Sequence, residues 1–323
     1  MPKLENKQTL LRLLIIIALA VLAIVIYIFA GVGANPAFII PRRTNQVIAI
    51  SLVAVAVAYS SIMFQTLTNN RILTPAVIGF ESIYMFIQTL IVLVFSYGSY
   101  LVTGIGNFAL SIGIMLIFAF VIYAIMFRKG GHNPLFLVLT GMVIGAMFSS
   151  LTTYLQMLID PSEFFIIQNR MFASFDAINL DLLYVSGIII IAAVLLSLPY
   201  IKYLDVLLLG REHAIGLGVN YSRISKYFMA LIAIFVSVST ALVGPVTFLG
   251  VLVANLTYQY IKNFRHIYIL PACVAITLVA LVFGQYLVSR VFQFSTTLSI
   301  IINFAGGLYF LLLLLKQNKK AKG

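Results

Sequence analysis

Tryptophan is absent from this 323-residue chain, cysteine occurs once, and only 8 residues are acidic. The single cysteine, Cys273, excludes an intrachain disulfide and most metal sites, and its position inside an apolar run marks it as a small packing residue. No Gly-Lys-Ser or Gly-Lys-Thr occurs, so the chain lacks a phosphate-binding loop. His-x-x-x-His and Cys-x-x-Cys spacings are missing, and no serine sits in a Gly-x-Ser-x-Gly elbow. A nucleotide hydrolase, a zinc site and a serine hydrolase are each left without their parts.

What is present is apolar sequence. Hydrophobic residues make up 63% of the chain and charged ones 9%, with a mean hydropathy of +1.13. A bilayer explains this where a soluble core does not, because each crossing helix takes roughly 20 apolar residues. Backbone groups in lipid must be satisfied internally, which leaves helices or a closed barrel. The apolar runs are continuous rather than alternating, so the expected fold is all-α: a polytopic membrane helical bundle of about ten transmembrane helices. Those segments are Leu13–Ala30, Val47–Leu67, a run ending near Phe95, Phe108–Phe127, Leu135–Leu158, Leu182–Tyr200, Tyr227–Val243, Phe248–Ile261, Ile267–Val288 and Leu298–Leu315. The first is longer than a signal-peptide core and reads as a retained helix. The whole chain, 1–323, reads as a single transmembrane domain with a basic tail at 316–323.

An even number of crossings puts both termini on one side, and the charges test that. Sixteen of the 20 Lys and Arg residues fall on the terminal side, and Arg42, Arg43, Arg170 and Arg290 on the other. Lys and Arg-rich loops stay in the cytoplasm, so both ends are expected inside a bacterial cell membrane. Asp160, Glu163, Asp176 and Asp181 lie outside. The net charge of +12 is then a topological signal: it suits anionic inner-leaflet lipid and carries no implication of nucleic acid. Tyr97 and Tyr100 suit the outer interface, and Tyr200, Tyr203 and Tyr227 the inner one.

One cytoplasmic stretch stands apart. Leu207–Asn220, LLLGREHAIGLGVN, is a polar insert between two apolar spans. Leu209, Ala214 and Leu217 fit one helical face, and Gly210, Gly216 and Gly218 allow tight turns at its ends. It reads as one or two short amphipathic helices that dock on a partner or lie on the lipid surface. The three histidines, His132, His213 and His266, map to cytoplasmic loops as solvated residues. Within the spans the exceptional residue is Glu81, about ten residues past Arg71 and so about 15 Å deep. A carboxylate there is a functional candidate, or else it bonds to a neighbour such as Gln65 or Ser61. Gln65, Gln88, Asn107, Gln156, Asn255, Gln285 and Asn303 are the uncharged polar residues of the spans. They line a pathway or join helices.

Several motifs together resemble the permease subunits of iron-siderophore, haem and cobalamin (FecCD-type) ABC importers, over nearly the full chain. Leu209, Gly210, Ala214, Leu217, Gly218 and Val219 match the family's Leu-Gly-x-x-x-Ala-x-x-Leu-Gly-Val coupling loop. Gly244, Pro245, Phe248 and Gly250 match Gly-Pro-x-x-Phe-x-Gly, but the Pro-His that closes that motif is replaced by Ala254 and Asn255. Gln65, Asn70, Pro75 and Gly79 match a third motif, in which Asn69 and Arg71 depart. Gly306, Gly307 and Phe310 are similar to a terminal Gly-x-Pro-x-Phe pattern, with Leu308 in place of Pro.

The resemblance implies a BtuC-like, type II ABC importer permease, not itself an enzyme, carrying ferric siderophore. Its implied partners are two ABC ATPase subunits, a second permease (a copy or a paralogue), an extracytoplasmic binding protein and membrane lipid. ATP and Mg would sit on the ATPase, with no cofactor on this chain. The coupling loop, about 203–222, would rest on the ATPase through Leu209, Gly210, Arg211, Glu212, Ala214, Leu217 and Gly218. Arg42, Arg43 and Arg290 would meet the binding protein, and Gln65, Glu81 and Asn255 would belong to a pathway or gate. The alternative from a different class is an ion- or proton-coupled carrier centred on Glu81.

Overall fold

The computed structural model describes residues 2–33, 35–95, 102, 104–127, 134–176 and 178–321. Tyr97, Tyr100, Arg128, Lys129, His132 and Lys322 therefore lie outside the described residues. The described chain is helical throughout, without a strand. Its elements are α1 (Pro2–Phe29), α2 (Pro36–Thr68), α3 (Phe80–Val94), α4 (Ile105–Phe127), α5 (Pro134–Gln156), α6 (Pro161–Arg170) and α7 (Leu180–Ser197). They continue as α8 (Ile201–Leu207), α9 (Arg211–Gly216), α10 (Tyr221–Val243), α11 (Leu249–Tyr260), α12 (His266–Arg290) and α13 (Leu298–Ala321). All ten expected segments are helices; α6, α8 and α9 are the short additions.

Among the described residues, 7 helical stretches are long and apolar enough to cross a membrane; Phe80–Val94 and Leu298–Leu312 are shorter apolar helices. At 12 residues, α11 is only about 18 Å long. It packs against α2, α12 and α13 rather than standing alone. Such a short piece survives at membrane depth because the irregular backbone before it, Gly244–Phe248, is covered by protein.

Helix α2 is the central post, buried along most of its apolar length and touching α7, α10, α11 and α12. It starts at Pro36, well before the expected Val47. Proline at the first helical position costs no hydrogen bond and presets the helical φ. Arg42 and Arg43 are thus inside the helix. After α2, Asn69 turns left-handed (φ 48°) and a 3-10 turn, Pro75–Ile78, leads into α3 through Gly79 (φ 94°). Helix α5 crosses this turn at backbone contact. A Cβ on Gly141 would stand 2.7 Å from the Ile78 Cα, and one on Gly79 would stand 2.8 Å from the Gly145 Cα. The Gly141-x-x-x-Gly145 spacing puts both glycines on the contacting face, the small-residue geometry of close helix packing.

The two ends of the bundle are defined by contacts. At one end Arg12 Nη1 donates to the Tyr260 carbonyl (3.2 Å), near the start of α12. Tyr200, Tyr203 and Tyr227 also cluster, with the Tyr200 and Tyr227 ring centroids 4.4 Å apart. At the other end Arg290, closing α12, reaches the carbonyls of Ala30 and Gly31. The basic residues expected to share the terminal side, Arg12, Arg71 and Arg265, lie at the first end; Arg42, Arg43 and Arg290 lie at the second.

Candidate functional site

The polar insert is two short helices, as its pattern predicts. Helix α8 turns its Leu204 and Leu207 inward, Gly210 (φ 91°) breaks the chain, α9 makes little more than one turn, and Gly218 (φ 81°) closes it. Asn220 then caps α10, its side-chain oxygen accepting from the Arg223 N–H at 3.1 Å.

The expected contact face is not the one formed. Ala214 is fully buried (0% exposed), while Leu209 and Leu217 are 57% and 63% exposed. A single helix through Leu209, Ala214 and Leu217 would align them, but the break at Gly210 ends that register. Ala214 instead packs inward, its N–H on the Gly210 carbonyl and its own carbonyl taking the Val219 N–H, both at 3.0 Å. The outward apolar set is Leu209, Ile215 (51% exposed) and Leu217, beside exposed Arg211, Glu212 and His213.

Nor is His266 solvated, as its place in a loop implied. It is 1% exposed and joins three helices. Its Nδ1 meets Asp205 Oδ1 on α8 at 2.6 Å, and its Nε2 meets Thr66 Oγ1 on α2 at 2.8 Å. The His266 backbone N–H donates to the same Asp205 oxygen at 2.8 Å. Because Asp205 can only accept when ionised, Nδ1 carries a proton here. The sequence signal for this link is a carboxylate within an apolar run, Leu204-Asp205-Val206-Leu207. Of the other two histidines, His213 is exposed as expected, and His132 lies outside the described residues.

The pathway candidates occupy separate places. Glu81, in the first turn of α3, accepts from Thr247 Oγ1 at 2.7 Å, a partner other than Gln65 or Ser61. With Ser61, Thr74 and Thr240 it lines a cavity of about 40 Å³. The depth of about 15 Å assumed a continuous helix from Arg71; the chain there is a turn and a 3-10 segment, so that rise does not apply. Gly250, one of the motif glycines, leaves room for Ser61 beside this cavity. Gln65 is buried with both amide atoms lacking a protein partner, and it lines a different cavity of about 510 Å³ with Arg71, Asp205 and Tyr258. Asn255 Nδ2 donates to the Arg71 and Val251 carbonyls, both at 2.9 Å, tying the turn after α2 to α11.

At the opposite end, arginines close the end of α1. Arg43 Nη1 reaches the carbonyls of Tyr27 (3.0 Å), Ile28 (3.1 Å) and Ala30 (2.8 Å). Arg290 Nη2 reaches those of Ala30 (3.0 Å) and Gly31 (2.6 Å). These carbonyls have no partner within the helix, and a cation there also suits the helix dipole. Exposed Arg42 has one carbonyl, that of Asp176, at 3.3 Å. The Asp176 carboxylate gathers the side chains of Gln285 (2.7 Å) and Gln46 (3.4 Å). Nearby, Arg170 at the end of α6 binds Gln88 Oε1 and the Val102 carbonyl and lines a cavity of about 710 Å³. Burial lowers its pKa.

The profile of the FecCD transport family matches residues 9–316. The petrobactin import system permease protein YclO of Bacillus subtilis is 47% identical over 310 residues, which cover 96% of this chain and 98% of that one. The petrobactin import system permease protein FatC of Bacillus anthracis is 37% identical over 289 residues, 88% of this chain and 81% of that one. Among solved structures, a metal-chelate type ABC transporter in an inward-facing conformation matches with a TM-score of 0.82 at 22% identity, over 95% of this chain and 99% of that chain. That likeness is one of fold.

Proposed function

Because the chain belongs to the FecCD transport family, and so is a membrane-embedded permease subunit of an ATP-binding-cassette importer rather than an enzyme, we propose that it carries a ferric siderophore across a bacterial cytoplasmic membrane. The cargo reading draws on the two Bacillus relatives, both named for petrobactin import. The observation that carries the mechanism is the outward apolar set Leu209, Ile215 and Leu217 on an insert outside the bundle, in a chain without a phosphate-binding loop. An exposed apolar set rimmed by Arg211 and Glu212 is what a docking element needs.

In this reading two ATPase subunits bind the insert and hold ATP and Mg, this chain holds no cofactor, and a second permease completes the pathway. A binding protein delivers the chelate from outside. Both termini are cytoplasmic, in keeping with Arg12 bonding at the same end as Asp205 and His266. Of the outer arginines, Arg42 and Arg290 remain exposed and offer charge to the binding protein, whereas Arg43 is taken up by three carbonyls.

The test is reconstitution in vesicles with the ATPase and binding protein, measuring ferric-chelate uptake and stimulated ATP hydrolysis. Uptake that persists without the ATPase sinks this reading.

A further inference from the structure

The outer cavity contains a feature that neither packing nor capping accounts for. Arg170 is half-buried, and both of its bonds go to uncharged oxygens, those of Gln88 and the Val102 backbone. No carboxylate reaches it among the described residues; the Asp205–His266 pair is at the opposite end. A buried cation without an anion is costly, and proteins normally pair it. A guanidinium has five N–H donors, and the protein engages one on each terminal nitrogen.

The surroundings hold this charge in place rather than cancel it. Gln88 Nε2 donates to Asn107 Oδ1 (3.1 Å) and Ser111 Oγ (2.8 Å), while its oxygen accepts from Asn107 Nδ2 (3.2 Å) as well as from Arg170, so its amide plane is fixed on both edges. The cavity wall adds Gln168, Asn169, Thr296 and Thr297, all polar and none anionic. At about 710 Å³ it exceeds the need of a single small ion and is within the roughly 300–1,000 Å³ usual for organic ligands. The side chains Gln88 and Asn107, met in the sequence as polar residues of two spans, thus serve one preorganised cation.

We propose that this cavity receives the anionic oxygen groups of the incoming ferric chelate, with Arg170 as the cation that binds them. The proposal rests on the chelate-import reading and names the charge class of its cargo. A carboxylate or phenolate of the chelate binds the free guanidinium edge by charge-assisted hydrogen bonds. A lipid phosphate offers the same chemistry, so the experiment separates the two sources.

The complete importer, with ATPase and binding protein, is placed in vesicles of zwitterionic lipid and, separately, of lipid containing an anionic fraction. Arg170→Lys and Arg170→Gln are compared with the native chain. The probe is ferric petrobactin labelled with radioactive iron, and the readouts are uptake and basal ATP hydrolysis. Arg170→Gln is expected to lower uptake about tenfold in both lipids with basal hydrolysis unchanged, and Arg170→Lys to recover part of the loss. Native uptake by Arg170→Gln overturns the proposal. So does a deficit confined to anionic lipid, which assigns the charge to headgroups, or an equal loss in both variants accompanied by loss of basal hydrolysis, which assigns it to folding. If the native importer takes up no ferric chelate at all, the import reading itself fails, and the variants are not what decides it.

Discussion

In the orientation proposed above, the inner end of the bundle, marked by Asp205 and His266, and the outer end, marked by Arg43 and Arg290, are tied by different chemistry. Inside, one buried imidazole joins α8, α12 and α2 through Asp205 and Thr66. Outside, Arg43 and Arg290 close on the bare carbonyls that end α1. The outer ties anchor to backbone and hold one helix end still. The inner tie runs from side chain to side chain and connects α8, at the start of the polar insert, to α2, the central post. The comparison also divides the charged residues by availability. At the inner end the structural tie uses Asp205 and leaves Arg211 and Glu212 exposed, while at the outer end it takes up Arg43, which the sequence alone offers for docking, and leaves Arg42 and Arg290 exposed.

The sharpest way to break the inner end is Ala214→Arg. Ala214 is fully enclosed, so the guanidinium would be buried without an anion. A loss of about 3 kcal/mol of stability and of nearly all ATPase co-purification is expected. Leu217→Asp should separate docking from folding, with co-purification falling about thirtyfold and the melting temperature holding. An unchanged pull-down by Leu217→Asp moves the docking face elsewhere.

His266→Ala comes next. It leaves Thr66 only the Ile62 carbonyl and Asp205 a single backbone donor, at a cost of about 2 kcal/mol. If the tie transmits motion, chelate moved per ATP hydrolysed falls further than protein stability does. Equal losses in the two would reduce the tie to packing.

The outer end predicts a smaller and asymmetric pair. Arg43→Ala uncaps the Tyr27 and Ile28 carbonyls, leaves Ala30 to Arg290 alone, and should cost about 1 kcal/mol in a thermal melt. Arg42→Ala, with one carbonyl at 3.3 Å, should leave the melt unchanged and weaken binding-protein association in a titration. The smallest effect is expected at Glu81→Gln, where an amide can still accept from Thr247 and ATP-driven uptake should remain within about twofold of native. Abolished uptake there, together with sensitivity to a collapsed proton gradient, would revive an ion-coupled carrier.

Much of the fold was legible because lipid imposes one rule on a long stretch of chain. A long continuous apolar run in lipid satisfies its backbone as a helix, so the long spans emerged from hydropathy, while the shorter α3 and α11 were marked by the turn residues that bound them. The insert's division into short helices was legible from its glycines. Its faces were not. A six-residue helix has no stable periodicity to read, and the turn at Gly210 rotates Ala214 away from Leu209. His266 misled for a related reason: a basic loop at a span's edge implies solvent, yet Asp205 lies 61 positions away and closes over it only in the folded chain. For Glu81 the sequence supplied neither depth nor partner: the turn and 3-10 segment after Arg71 break the assumed rise, and Thr247, which donates to it, is 166 positions distant.

The sequence by itself determined the class of protein: a helical membrane bundle, its charge asymmetry, and the lack of a phosphate-binding-loop motif. These depend on local composition, which acts on each segment independently. Only the tertiary structure decided which polar side chains are spent and which are free. That depends on pairings between distant segments, where a single hydrogen-bond partner turns a candidate docking arginine such as Arg43 into a helix cap. The lack of a carboxylate near Arg170 among the described residues leaves a buried charge still open to a ligand.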